Sequence, residues 1–124
     1  MKVEELLKSF KRKMILKESN EKDDDWAILG LPLFHLGHPD GIAIKLTRKN
    51  GELIISDCHT TTDYLYADNI YLEDYSDRLA KIMRKFGIFQ DGEVFRMIIR
   101  DQENPFREIG YFIDAISLIA YINL

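Results

Sequence analysis

The sequence predicts a single α+β domain, a mainly antiparallel sheet of about four strands flanked by helices in the order α-β-β-β-α-β-α. Three observations carry this prediction. The chain has 124 residues, enough for one domain with its own core. Two strand-like segments flank the turn residues Asn50 and Gly51. Segments with apolar residues at helical spacing lie near both ends of the chain.

The first part of the chain is expected to form a helix and then a strand. Apolar residues at three- and four-residue spacing predict an amphipathic N-terminal helix, and they are Val3, Leu6, Leu7, Phe10 and Met14. Residues 18–25 contain no apolar side chain, so we expect a solvated connection there. Residues 26–34 suit a bent edge strand because Gly30 and Pro32 interrupt them.

A β-hairpin is expected around Asn50 and Gly51. The sequence leaves two registers open. A three-residue loop places Asp57 opposite Ala43, whereas a two-residue turn places Asp57 opposite Ile44. The choice decides which face of the sheet receives the polar residues that follow the second strand.

The C-terminal half is expected to contain a helix, a strand and a final helix. Asp74 or Ser76 can cap the first of these helices, and Gly87 can end it after about three turns. β-branched and aromatic residues after a turn at 90–92 predict the strand. Asn104 as the cap and Pro105 in the first turn favour the start of the last helix.

Composition and charge narrow the functional classes. One cysteine cannot form an intramolecular disulfide, so a cytoplasmic location is expected. The apolar C-terminal segment is short and carries Asp114, so no membrane span is expected. The net charge of −4 disfavours a dedicated nucleic-acid coat, although a basic face with Lys8, Lys11 and Arg12 keeps nucleic-acid binding open. Residues 63–77 hold five acids and no base, so the molecule is electrically asymmetric.

A cluster of polar residues flanks the hairpin and includes all three histidines and the cysteine. Hairpin pairing brings its two outer ends together, which makes His38, Asp40, Asp57 and His59 candidate metal ligands. The spacing does not match a zinc pattern, and no cofactor is the default expectation, with Mg²⁺ or Zn²⁺ as the alternative.

An alternative catalytic interpretation uses the same carboxylates. Asp40 and Asp57 with Lys45 would suit metal-assisted hydrolysis, and the element order is similar to the core of the PD-(D/E)XK nucleases. That family has a lysine two residues after the second acid, where His59 stands here. We favour a local role instead, in which Asp57 and the following threonines cap the next turn or helix.

A tyrosine-rich acidic segment follows the hairpin. Tyr64, Tyr66, Asp68 and Tyr71 form either an ordinary half-buried connection or a surface that binds a protein partner. A homodimer through a sheet edge or the apolar final helix is a further expectation. A non-catalytic interaction module is therefore the first functional hypothesis.

Several short features in order resemble a bacterial and phage family called domain of unknown function 1828. They are Pro32 and Phe34, His38-Pro39-Asp40, Ile42 to Leu46, Asn50-Gly51, Ser56-Asp57, Phe86-Gly87 and Asp91-Gly92. Cys58 and His59 stand where the family tends to have a second aspartate and a glycine. The resemblance implies a phage or mobile-element context in Gram-positive bacteria and no assigned activity. The charge asymmetry, with no complete catalytic set, leads us to expect a module that acts on a host defence or regulatory protein.

Overall fold

A computed structural model describes residues 2–3, 15–20, 25–31 and 41–124. Its strands are β1 (Ile15–Asn20), β2 (Asp25–Gly30), β3 (Ala43–Lys49), β4 (Glu52–Ser56), β5 (Phe89–Asp91) and β6 (Val94–Ile99). Its helices are α1 (Thr60–Ala67), α2 (Ser76–Phe86) and α3 (Phe106–Ala120), with a single 3-10 turn (Leu72–Tyr75) directly before α2. The predicted N-terminal helix falls mainly on residues 4–14, outside the described residues.

The described strands form one antiparallel sheet in the order β1-β2-β3-β4-β6-β5. The predicted α+β class is confirmed, but the sheet has six strands among these residues rather than about four. β1 includes residues 18–20 of the expected solvated connection. β5 includes residues 90 and 91 of the expected turn, so the turn lies at 92–93 instead. Edge strands tolerate polar sequence because they have a neighbour on one side only, which is why these two were missed. β2 pairs with both β1 and β3, so its predicted edge position is wrong.

The β3–β4 hairpin has a two-residue turn. Lys49 pairs with Glu52 across Asn50 and Gly51, which have φ angles of 52° and 80°. Positive φ at both central residues is what a type I′ turn requires. The pairing of Lys45 with Ser56 continues this register, so it places Asp57 opposite Ile44. The two-residue alternative is therefore the correct one.

The core lies between one face of the sheet and the helices. Alternate residues of the four central strands are buried there, and they include Leu29, Ile44, Leu46, Leu53, Ile55, Phe95, Met97 and Ile99. α3 packs on α1, α2 and β6, and its buried residues recur every three or four positions. Phe112 and Ile116 are completely buried. Burial of each such side chain stabilises the fold by about 1.5–3 kcal/mol.

The helix ends confirm the predicted glycine and correct the predicted caps. α2 ends at Gly87, whose φ of 68° is left-handed and whose N–H bonds to the carbonyl of Met83. Neither Asp74 nor Ser76 makes a side-chain cap, because the 3-10 turn leads straight into α2. Pro105 rather than Asn104 occupies the cap position of α3.

The turn geometry predicts a selective effect of substitution at Gly51. Gly51→Ala should lower the free energy of unfolding by about 1 kcal/mol, because a Cβ is strained at positive φ. The space around an added Cβ is open, so the loss would be conformational rather than steric. Asn50→Gly is the control and should change stability by less than about 0.5 kcal/mol, since glycine adopts positive φ freely. Urea titration measures both, and equal effects would contradict the type I′ assignment.

Candidate functional site

Asp57 is a completely buried carboxylate directly after β4. Its Oδ1 accepts hydrogen bonds from the backbone N–H of Phe95 at 2.9 Å and of His59 at 3.1 Å. Its Oδ2 accepts one from the N–H of Thr61 at 3.3 Å. One side chain therefore joins the end of β4 to the neighbouring strand β6 and to the start of α1.

Thr60 and Thr62 extend this connection. The Thr60 Oγ1 lies 2.6 Å from the Asp57 carbonyl and 3.1 Å from the Ala43 carbonyl, and it accepts the Ala43 N–H at 3.0 Å. Its single proton can serve only one of these carbonyls at a time. The Thr62 hydroxyl donates to the Glu93 carbonyl at 3.1 Å. The predicted local role of Asp57 and the threonines is confirmed.

Burial raises the pKa of Asp57, and its hydrogen bonds oppose that effect. The opposing donors are the Thr61 side chain and the backbone N–H groups of Phe95, His59 and Thr61. The Thr61 hydroxyl is buried, and it has no hydrogen bond of ordinary geometry with another described group. Because donors from the protein occupy both oxygens, Asp57 is a structural acceptor rather than an exposed ligand.

Two consecutive residues without a glycine adopt left-handed backbone after Asp57. Cys58 and His59 have φ angles of 52° and 54°. Each such residue costs roughly 1–2 kcal/mol relative to right-handed backbone. The Ser56 hydroxyl accepts the Cys58 N–H at 2.9 Å, and Asp57 accepts the His59 N–H. These side-chain acceptors hold the strained turn in place.

The predicted catalytic residues Asp57 and Lys45 do not share a site. Lys45 pairs with Ser56, one residue before Asp57, so the two side chains lie on opposite faces of the sheet. The Lys45 Nζ lies 4.8 Å from the centre of the Trp26 ring. Strand alternation therefore separates two members of this alternative catalytic set. Asp40, the remaining member of that set, lies outside the described residues.

The predicted metal ligands are not brought together where the structure describes them. Asp57 is internal, whereas His59 is exposed and its Nδ1 lies 2.9 Å from Asp63 Oδ2. His38 and Asp40 fall in residues 32–40, which are not described. Among the described residues, no group of three or more His, Cys, Asp or Glu side chains could hold a metal ion.

The predicted tyrosine surface is partly corrected. Tyr64 is 5% exposed and belongs to the core, so it cannot contact a partner. Burial is the main cause that raises the pKa of Tyr64 to about 12, with contributions from Tyr121 and Asp68. Helical geometry turns residues 64 and 66 to different sides of α1. Tyr66 and Tyr71 are in ring contact at 5.4 Å between centres, and Tyr71 and Asp68 are exposed.

A groove of about 410 Å³ lies beside Tyr66, between α1, the 3-10 turn, α2 and the β5–β6 turn. We call it the acidic groove. Its apolar side chains include Leu72, Leu79 and Met83, and its exposed acids are Glu73 and Glu93. Sequence reasoning missed Glu93 and the residues of α2, because they join Tyr66 only through the tertiary fold.

The comparisons with known proteins return no match. No family model matches the chain, and no curated protein or solved structure is significantly similar to it. The resemblance to domain of unknown function 1828 therefore stays a prediction. Within the described ranges, no helix is long and apolar enough to cross a membrane.

Removing the Asp57 carboxylate should destabilise the protein strongly. Asp57→Ala leaves three backbone N–H groups without their acceptor, each worth about 1–3 kcal/mol when buried, so we expect a loss of about 3 kcal/mol or more. Asp57→Asn keeps one acceptor oxygen, but its amide NH₂ group would face a backbone N–H that the carboxylate now accepts. We therefore expect the free energy of unfolding to fall by about 1–2 kcal/mol. Urea titration with circular dichroism measures both.

Asp63→Asn is the matched control for the Asp57 variants, because Asp63 is exposed and its loss should cost less than about 1 kcal/mol. If Asp57→Ala folds poorly, Asp57→Asn still decides the question. Wild-type stability of both Asp57 variants would contradict the structural role.

The His59–Asp63 contact predicts a measurable titration. The hydrogen bond to Asp63 raises the pKa of His59 above its ordinary value of 6.5. The pair should therefore stabilise the fold fully below pH 6.5, and this contribution should disappear as the pH rises through the folded-state pKa. NMR titration of the imidazole should show the raised pKa in the wild type and a lower one in Asp63→Asn. Asp68→Asn should leave it unchanged, and an equal effect of both variants would argue against the contact.

Proposed function

We propose that the protein is a non-catalytic interaction module that holds a segment of a protein partner in the acidic groove. The observation that carries the proposal is the groove itself. It combines an apolar lining with an acidic margin and lies against Tyr66, which contacts the exposed Tyr71. Protein–protein anchors favour this combination of aromatic side chains, apolar contact and a polar margin.

The apolar lining of the groove provides a surface against which a partner's apolar side chain can be buried. Leu72 and Leu79 are mostly buried in the core, and Met83 is half-buried between the core and the groove. Methionine adapts its shape to different contacting side chains. A partner side chain placed here would lose water contact against a surface that is already apolar, which favours binding.

The walls of the groove are also held in place before binding. The Asp57 carboxylate fixes the start of α1, and Thr62 joins α1 to the carbonyl of Glu93. Gly87 ends α2 at a defined point before β5. A preformed surface loses less conformational entropy on binding, so the arrangement favours specific recognition.

The wider context of this function rests on the family resemblance. It favours a cytoplasmic module of phage or mobile-element origin that acts on a defence or regulatory protein of a Gram-positive host. Self-association is a weaker proposal, supported by exposed apolar side chains at Ile98 of β6 and Leu118 of α3. The metal-dependent hydrolase alternative loses support because Asp57 is completely buried and internal donors bond to both of its oxygens. The basic residues proposed to bind nucleic acid lie outside the described residues.

Two tyrosines of almost equal exposure give a matched test. Tyr71 beside the groove is 43% exposed, and Tyr111 on α3 is 41% exposed. Immobilised wild type and Tyr111→Ala should retain one stoichiometric partner from a Gram-positive lysate, as measured by quantitative mass spectrometry. Tyr66→Ala combined with Tyr71→Ala should lose that partner, because the aromatic anchor is removed.

Circular dichroism of each tyrosine variant checks that the fold is intact. Equal recovery of the partner by the groove variant and by Tyr111→Ala would contradict the proposed surface.

A further inference from the structure

The chemistry of the acidic groove indicates which kind of segment it binds. Glu73 in the 3-10 turn and Glu93 in the β5–β6 turn are distant in sequence but line the same groove with Tyr66. Both are exposed. Burial raises the pKa of Tyr66, and Glu73 and then Glu93 raise it further, as expected if both carboxylates act on the same ring. Two exposed carboxylates from separate segments therefore line the same groove as one aromatic side chain.

The described basic residues do not neutralise these two charges. Within the described part of the chain, no basic side chain forms an ion pair with Glu73 or Glu93. Two basic residues of the elements around the groove, one on α2 and one on β6, have partners elsewhere. Arg78 donates to the carbonyls of Ile122 and Leu124, and Arg96 pairs with Asp91 at 3.6 Å. As far as the described residues go, the groove thus presents two unpaired carboxylates, whose negative potential attracts a cationic ligand.

An aromatic ring between carboxylates favours one kind of side chain. A cation is attracted to the face of a tyrosine ring and to the flanking carboxylates together. Arginine suits this arrangement better than lysine, because its planar guanidinium can stack on a ring while its N–H groups donate to a carboxylate. The apolar lining from Leu79 and Met83 favours an apolar neighbour in the same ligand.

We infer that the acidic groove binds a basic peptide segment, with an arginine placed over Tyr66 between Glu73 and Glu93 and an adjacent apolar side chain against Leu79 and Met83. The inference rests on the proposed function and specifies its partner by charge and shape. Recognition by this combination requires both features, so neither a purely basic nor a purely apolar peptide should bind well.

Selection from a library of random twelve-residue peptides displayed on phage tests the inference. Selection on the wild type should enrich sequences in which arginine stands next to leucine, isoleucine, methionine or phenylalanine. Selection on the double variant Glu73→Lys, Glu93→Lys should lose them. The control Glu52→Lys, Glu103→Lys makes the same change of charge on exposed residues that do not line the groove, and it should retain them.

A second measurement separates binding that depends on the arginine charge from non-specific apolar binding. In the best selected peptide, replacing arginine by its neutral isostere citrulline should weaken binding at least tenfold by fluorescence anisotropy. Replacing arginine by lysine should weaken binding less. Unchanged affinity with citrulline, or enrichment of peptides without basic residues, would overturn the inference.

The two proposals fail in different ways. Enriched peptides that lack arginine and lysine but lose binding to Tyr66→Ala would overturn the basic-segment inference and leave the interaction groove in place. Enriched peptides whose binding is indifferent to Tyr66→Ala, or no enrichment at all, would overturn both. Thermal unfolding of every variant before selection confirms that each is folded.

Discussion

Burial of the Asp57 carboxylate is the constraint on which the rest of the arrangement depends. A charged group removed from water needs compensating donors, and here they come from β6, from the turn after β4 and from α1. The same contacts that satisfy Asp57 position the first turn of α1 against the sheet. The carboxylate therefore acts as a connector, and the strained residues Cys58 and His59 are the backbone path that allows it.

That connection reaches the acidic groove through α1. Thr61 is held by Asp57 at the inner side of the helix. Tyr66 lies about 1.4 turns further along α1, at the groove. The Thr62 hydroxyl donates a hydrogen bond to the carbonyl of Glu93, which also lines the groove. The buried Asp57 and the exposed Glu93 at the groove are thus connected through α1 by hydrogen bonds, although the two acids have different roles.

Sequence reasoning identified the features that depend on neighbouring residues. The Asn50–Gly51 turn, the end of α2 at Gly87 and the apolar spacing of α3 are local signals, and all three appear in the structure. β5 was missed because three exposed residues carry no apolar alternation. The sequence indicated the tyrosine-rich segment, but only tertiary structure could place Tyr64 in the core and join Glu93 to Tyr66. Those placements depend on residues far apart in the chain.

The topology also favours an order in which the strands pair during folding. β4 and β6 are hydrogen-bonded neighbours, yet the chain between Ser56 and its partner Arg96 contains α1, α2 and β5. Closing so long a loop is slower than forming the local β3–β4 hairpin. During synthesis, the hairpin can form while the later residues are still being added. The groove, which needs the β5–β6 turn on one side, can be completed only after β6 has docked.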